Sequence, residues 1–288
     1  CRFMKFLEIV PSGDACGAEV CGVDLGEGLK GAVFDEIDAA FNKHSVIVLR
    51  NQSITPEQHL DLSDRLGGIV PHTFSEFCHP DYPQIFRISN LIEDGNPLGY
   101  EKAGVTWHTD QSYIETPPRC TTMFALDVPE KDGESFGDTL FASAAAAYNA
   151  LSEDMKTRLK GLKAVHQFAA RKRRLGRENE LSEAQKLLNP DVVHPVVRTH
   201  PFTGRKCIYV LEGECTGIVG MDDAEALPLI KELSDHIIRP EFIYRHKWQQ
   251  GDLIIWDNCA LQHRAESDYE LPLRRHMHRT SVNGTSTF

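Results

Sequence analysis

The chain has no CxxC pair, no long apolar run, no excess of positive charge, no internal repeat and no low-complexity stretch. Each absence removes a class of function. Eight cysteines, at 1, 16, 21, 78, 120, 207, 215 and 259, without a CxxC spacing argue against a thiolate metal site or a dithiol redox motif. A chain of 288 residues can bury a full core and needs no disulfide staples, so the thiols read as buried groups in a reducing cytoplasm. The longest apolar runs, such as Ser45-Val46-Ile47-Val48-Leu49, fall far short of the ~20 residues of a membrane span. Cys1-Arg2-Phe3-Met4 runs into charged residues and does not read as a signal peptide. A cytoplasmic protein with no membrane partner is expected. Lys plus Arg 31 against Asp plus Glu 42 leaves a net charge of −11, which gains nothing from a polyphosphate backbone, so nucleic acid is not an expected partner.

What is present is an N-terminal third that mixes short strands with two helices, followed by many short strands. Val33, Phe34, Ile37, Ala40 and Phe41 recur at helical spacing, and His44 to Leu49 reads as a buried strand. Thr55-Pro56-Glu57 caps a second helix that turns Leu60, Ser63 and Leu66 inward and stops at Gly67-Gly68. From about residue 85, β-rich segments fall at 85–88, 120–128, 137–142, 162–168, 192–198, 206–211, 241–248, 252–257 and 275–283. Helices are expected at 143–150, 153–160 and about 222–238. Many short strands without regular intervening helices predict a mostly β fold with flanking helices, a sandwich or barrel in one domain. Residues 168–192 are polar, basic and strand-poor, and read as a lid or insertion.

Three His-x-Asp triplets occur, where 13 His and 20 Asp predict about one by chance, so context must choose between them. His59 and Asp61 lie in the predicted helix, where residues two apart face opposite sides. His79 and Asp81 flank a proline in a loop. His108 and Asp110 lie in the extended-looking Thr106–Tyr113 segment, where residues two apart face the same way and can share one ion. The third ligand must come from afar. His263, between the strand Asp252–Asp257 and the basic strand at Arg275–Arg279, is the best placed. The alternative for it is a hydrogen-bonded, half-buried histidine. Two histidines and one carboxylate on one face of Fe(II) leave the other face open to a co-substrate and oxygen.

An oxygenase of that kind needs electrons, and an oxo-acid co-substrate supplies them. Its remote carboxylate needs a cationic fork and a hydroxyl. In Arg275-His276-Met277-His278-Arg279, alternation puts Arg275 and Arg279 on one face of a strand. The competing reading is a basic edge strand that resists aggregation. Thr139 in Gly137-Asp138-Thr139-Leu140-Phe141 offers a hydroxyl, though alone it is an ordinary strand residue. Arg171-Lys172-Arg173-Arg174 with Arg177 reads either as a lid over an anion or as a solvated charged loop.

Five motifs in order, Trp107-His108-Thr109-Asp110, Gly137-Asp138-Thr139-Leu140-Phe141, Trp256-Asp257-Asn258, His263-Arg264-Ala265 and Arg275-x-Met277-His278-Arg279, resemble the taurine dioxygenase / phenoxyacetate dioxygenase family of Fe(II)- and 2-oxoglutarate-dependent enzymes. The resemblance extends over nearly the whole chain. It implies one dioxygenase domain over residues 4–288 on a double-stranded β-helix, or jelly roll. It implies Fe(II) on His108, Asp110 and His263, with 2-oxoglutarate held by Thr139 and Arg275 and O2 as oxidant. It also implies a small anionic substrate (a sulfonate, sulfate ester, aryloxy-carboxylate or amino-acid-like compound) met by His72 and Arg279. Hydroxylation would be coupled to decarboxylation of 2-oxoglutarate to succinate and CO2, in a dimer or tetramer. The segment 129–136 is longer than the family's usual turn, which leaves Ser135 as an alternative to Thr139, and Gly104 stands where taurine-using members present an Asn. A non-redox metalloenzyme or a non-catalytic anion-binding protein on the same barrel are the competing functions.

Overall fold

The computed structural model describes residues 7–288 except 14, 73, 74, 102, 175 and 177–181. Its centre is an eight-stranded sheet ordered Glu8–Pro11, Ala18–Cys21, Val46–Leu49, Leu253–Asp257, Cys120–Asp127, His276–Val282 and Ile69–Val70, with Phe86–Ser89 also paired to His276–Val282. All pairings are antiparallel except Ala18–Cys21 with Val46–Leu49. A smaller antiparallel sheet of Ile243–His246, Thr139–Ser143 and Leu261–Ala265 faces it.

Side-chain alternation explains why the central strands are apolar throughout. Val46, Val48, Ile254 and Trp256 pack toward Phe141 and Leu261 of the smaller sheet. Ile47, Leu49, Leu253 and Ile255 point the other way, onto Ile37 and Phe41 of the helix Gly31–His44 and Leu62 and Leu66 of the helix Pro56–Gly67. A strand covered on both faces has no polar side to show.

The Pro56–Gly67 helix starts as expected. Thr55 accepts from the Gln58 amide while the Gln58 side chain accepts from the Thr55 N–H, a reciprocal cap. Its inward stripe is His59, Leu62, Ser63 and Leu66. Leu60, expected inward, is only half-buried, because the 3.6-residue period sets it at the stripe's edge.

Beyond the two sheets lies a third cluster. The helices Ala144–Asn149, Glu153–Leu159 and Asp223–Ile237 cover a sheet of Lys163–His166, Val192–Pro195 and Cys215–Ile218. The single strand expected at 192–198 is two, because the chain changes partner at Val196: Val192–Pro195 pairs with Lys163–His166, and Val197–Thr199 with Lys206–Ile208. The strand Cys215–Ile218 went unread in the sequence, where glycines at 213, 217 and 220 resemble loop punctuation. Residues 168–192 carry the helices Phe168–Arg174 and Glu183–Leu188 and no strand among the described residues before Val192.

Candidate metal and co-substrate site

His108, Asp110 and His263 converge. Their ligand atoms lie within 4.8 Å of one another, and all three side chains are buried. Backbone pairing brings the histidines together. The His108 amide donates to the His263 carbonyl at 3.0 Å and the His263 amide to the His108 carbonyl at 2.7 Å, a closed antiparallel pair. The rings stand 4.1 Å apart. His263 lies within the strand Leu261–Ala265, opposite Phe141, where the sequence suggested only a position after a strand. The extended run expected over Thr106–Tyr113 is shorter than that. It ends after Thr109, the chain turns at Asp110, and Gln111 takes a left-handed φ of 50°. Asp110 still faces the histidines, with Oδ1 3.6 Å from His108 Nε2 and 3.8 Å from His263 Nε2.

The protonation state suits a metal. His108 Nδ1 lies 2.8 Å from the Thr106 carbonyl, which can only accept, so Nδ1 carries a proton and Nε2 is the nitrogen that faces Asp110. Burial pushes the Asp110 carboxyl up, but Arg279, His263 and His108 outweigh it and hold it well below the usual carboxylate range. The other His-x-Asp triplets behave as geometry demands. His59 is buried while Asp61 pairs with Arg65 on the exposed face, and His79 Nδ1 accepts the amides of Asp81 and Tyr82. Several other histidines are engaged elsewhere: His200 with Asp257, His246 with Asp252 and His236 with the Ala147 carbonyl.

Arg275 is a buried cation in search of an anion. It is 4% exposed, its Nη1 donates to the Gly137 carbonyl at 2.7 Å, and its guanidinium lies against the rings of Tyr269 and Trp248. No carboxylate pairs with it among the described residues. Burial lowers its pKa, opposed by Tyr269, Asp268 and Asp138. A buried guanidinium without a counter-ion is costly unless a ligand supplies one. Thr139 lines the same cavity, and its Oγ1 accepts the Trp248 indole N–H at 3.0 Å. With that lone pair occupied, the hydroxyl proton is left for an acceptor. Ser135 sits instead in the hairpin Glu130–Lys131/Glu134–Ser135 and does not line the cavity. The residues present therefore fit a divalent metal beside a bidentate acid whose far carboxylate reaches Arg275.

The family model described as Taurine catabolism dioxygenase TauD, TfdA family matches residues 8–281. The chain belongs to this family. It is an enzyme, an Fe(II)- and 2-oxoglutarate-dependent dioxygenase that uses O2. Over 278 residues it is 32% identical to an alpha-ketoglutarate-dependent 2,4-dichlorophenoxyacetate dioxygenase of Cupriavidus pinatubonensis, covering 93% of this chain and 94% of the relative. It is also 32% identical over 270 residues to an alpha-ketoglutarate-dependent sulfate ester dioxygenase of Pseudomonas putida, covering 91% and 85%. Among solved structures, AAD-2 in complex with Mn(II) and N-oxalylglycine superposes with a TM-score of 0.82 at 28% identity, covering 98% of each chain.

In this dioxygenase the cavity continues from the metal cluster toward an apolar wall of Phe86, Ile88, Tyr100, Tyr113, Met123 and Phe168. Arg275 and Arg279 both reach the cavity, as strand alternation predicted. Arg279 Nη2 lies 2.8 Å from Asp110 Oδ1, so the structure sets this arginine on a metal-ligand candidate as well as on the cavity wall. His72 stacks on Phe86 with ring centroids 3.7 Å apart, and burial, then Arg279, lowers its pKa to about 3, which keeps it neutral. Gly104 lies close to His108: a Cβ there would come within 3.0 Å of Cε1. Phe168, the first residue of the predicted lid, reaches the cavity. Arg177 and the side chains of Arg171, Lys172 and Arg174 lie outside the described residues. Sequence reasoning missed Trp248, Tyr269 and Asn90, whose side chain accepts the Arg275 amide at 2.8 Å. None belongs to a motif, and each reaches the site from a loop or strand end.

Proposed function

We propose that this dioxygenase hydroxylates a small organic anion with an apolar body, an aryloxy-carboxylate or sulfate ester being the nearest chemistry. The buried Arg275, which pairs with no carboxylate among the described residues, lies beside the His108–Asp110–His263 cluster and carries the reading, because a non-redox metal site leaves that cation without a role. His108, Asp110 and His263 would hold Fe(II), and Thr139 and Arg275 the far carboxylate of 2-oxoglutarate. When bound, the iron and 2-oxoglutarate supply the oxidising chemistry: one atom of O2 goes to a substrate C–H bond and the other to succinate, with loss of CO2.

This chain's residues do the rest. Arg279 and neutral His72 meet the substrate anion, His72 as a hydrogen-bond donor, while Phe86, Ile88, Tyr100, Met123 and Phe168 exclude water around its body. The 2,4-dichlorophenoxyacetate and sulfate ester enzymes named above support the substrate class.

The two facing sheets and the family support a jelly-roll core. We read residues 4–288 as one domain, of which 4–6 lie outside the described residues, with 168–192 as a lid whose Phe168 already reaches the cavity. The family resemblance supports a homo-oligomer, dimer or tetramer, which light scattering after size exclusion tests. No described helix is long and apolar enough to cross a membrane, and no disulfide forms among the described cysteines, which suits a cytoplasmic setting.

Anaerobic addition of Fe(II) with and without 2-oxoglutarate tests the site through the weak visible charge-transfer band of the chelate. The band should require both reagents and His108, and should weaken in Arg275→Ala. Tight metal binding with no band would sink the reading. A screen of aryloxy-carboxylates, sulfate esters and sulfonates by succinate release then names the substrate.

A further inference from the structure

Within the motif Trp256-Asp257-Asn258, Trp256 lines the cavity with its ring 4.9 Å from that of His263, and Asn258 reaches the His108–Asp110–His263 cluster through one intermediary. Asp257 Oδ1 accepts the amides of Cys259 and Ala260, turning the chain out of the strand Leu253–Asp257, and its Oδ2 pairs with His200. That turn aims Asn258 back at the sheet. Asn258 is fully buried, and its Nδ2 donates to Thr121 Oγ1 at 3.0 Å. Thr121, also fully buried, donates to Asp110 Oδ2 at 2.6 Å. The Thr109 hydroxyl donates to the Asn258 carbonyl at 2.8 Å and ties the two segments again.

The direction of the chain is forced. A carboxylate only accepts, so Thr121 spends its single proton on Asp110. The Thr121 lone pair then requires a donor, which is the Asn258 amide. The Asp110 bond is short because its acceptor is charged. Thr121 itself cannot drift: it lies in the strand Cys120–Asp127, paired to Trp256 on one side and Ser281 on the other.

The two oxygens of Asp110 are thereby made different. Oδ2 is tied to the sheet, whereas Oδ1 faces His108, His263 and Arg279. We propose that Thr121 and Asn258 are positioning residues that hold Asp110 so that it offers a single oxygen to the metal, leaving the opposite face open for co-substrate and oxygen. The proposal rests on the reading of His108, Asp110 and His263 as the iron ligands. Outer partners of a ligating group commonly change metal affinity by about 10–100-fold when removed.

The test is anaerobic Fe(II) affinity by competition with a chelator, together with the position of the visible band formed with 2-oxoglutarate. Thr121→Val keeps the shape but removes the proton and the lone pair. It should weaken Fe(II) binding about 10–100-fold and shift the band, while the metal-free protein keeps its parental circular dichroism. Thr121→Ser restores the hydroxyl and should restore both readouts. His108→Ala runs alongside. Loss of binding in His108→Ala with parental affinity and band in Thr121→Val would overturn the proposal and leave the metal site standing. Parental binding in His108→Ala would remove the metal site, and the proposal with it. Should Thr121→Val not fold, Asn258→Ser decides by the same readouts: a several-fold loss of affinity with a shifted band supports the proposal, and unchanged values overturn it.

Discussion

At the scale of the residue, close contact decides what the site tolerates. Gly137 has a φ of +71°, and a Cβ there would clash with Arg275 Nη1. The glycine lets the backbone approach the guanidinium and offer it a carbonyl. Gly137→Ala should therefore displace Arg275 and weaken 2-oxoglutarate binding by about 10-fold or more, the cost of a disturbed hydrogen bond to a charged group. Titration of 2-oxoglutarate against the Fe(II)-loaded protein checks this, and Fe(II) affinity should stay as in the parent. If Fe(II) affinity falls in parallel, the glycine serves the whole site and not Arg275 alone. Trp248→Phe removes the indole N–H that orients Thr139 while keeping most of the packing. A loss of a few-fold in 2-oxoglutarate affinity is expected, within the ~1 kcal/mol of a neutral hydrogen bond. The same titration reads it.

At the scale of the element, the helix Pro56–Gly67 couples the outer layer to the sheet and makes stability depend on pH. His59 is fully buried, with Nε2 2.6 Å from Thr122 Oγ1, and Ser63 Oγ lies 2.7 Å from Thr280 Oγ1, so a polar cluster joins the helix to two strands. Burial lowers His59 from 6.5 to about 4. The unfolded chain takes up that proton first as pH falls, so the stabilisation is complete above about 6.5 and disappears on the way down to about 4. The size is about 3 kcal/mol. Thermal unfolding between pH 7 and 4.5 should show this fall, and His59→Gln should flatten part of the slope; an unchanged slope would exclude His59 as its source. Thr55→Ala removes half of the reciprocal cap and should cost about 1 kcal/mol, seen as a lower melting temperature.

At the scale of the whole molecule, the candidate metal site joins distant parts of the chain. His108 and His263 meet because an isolated antiparallel bridge ties the segment at His108 to the strand Leu261–Ala265. A ligand that binds the folded state alone stabilises it in proportion to the logarithm of its concentration over Kd. Mn(II) with 2-oxoglutarate should therefore raise the melting temperature of the chelator-treated protein by several degrees, since about 3 kcal/mol is gained at a hundred-fold excess over Kd. Absence of a shift would mean that the cluster is not assembled in solution. The Asp110→Ala variant should show no shift.

Local chemistry made much of this legible in advance. The Arg275–Arg279 face, the capped helix at Thr55 and the central strands follow from alternation, helical period and capping, which depend on neighbours a few residues apart. The His108–Asp110 pair was legible as a spacing, although a turn at Asp110, not an extended strand, brings its side chains together. The long-range choices were not legible in that way. That Leu62 and not Leu60 packs inward, that the chain turns at Asp110, that Thr139 and not Ser135 lines the cavity, and that Trp248, Thr121 and Asn258 stand behind the working groups all depend on contacts between residues far apart in sequence. The residues in the sequence determined which groups were available and which faces were apolar. Only the tertiary structure decided which of those groups share a cavity, because sheet pairing and side-chain packing set distances that spacing along the chain does not encode.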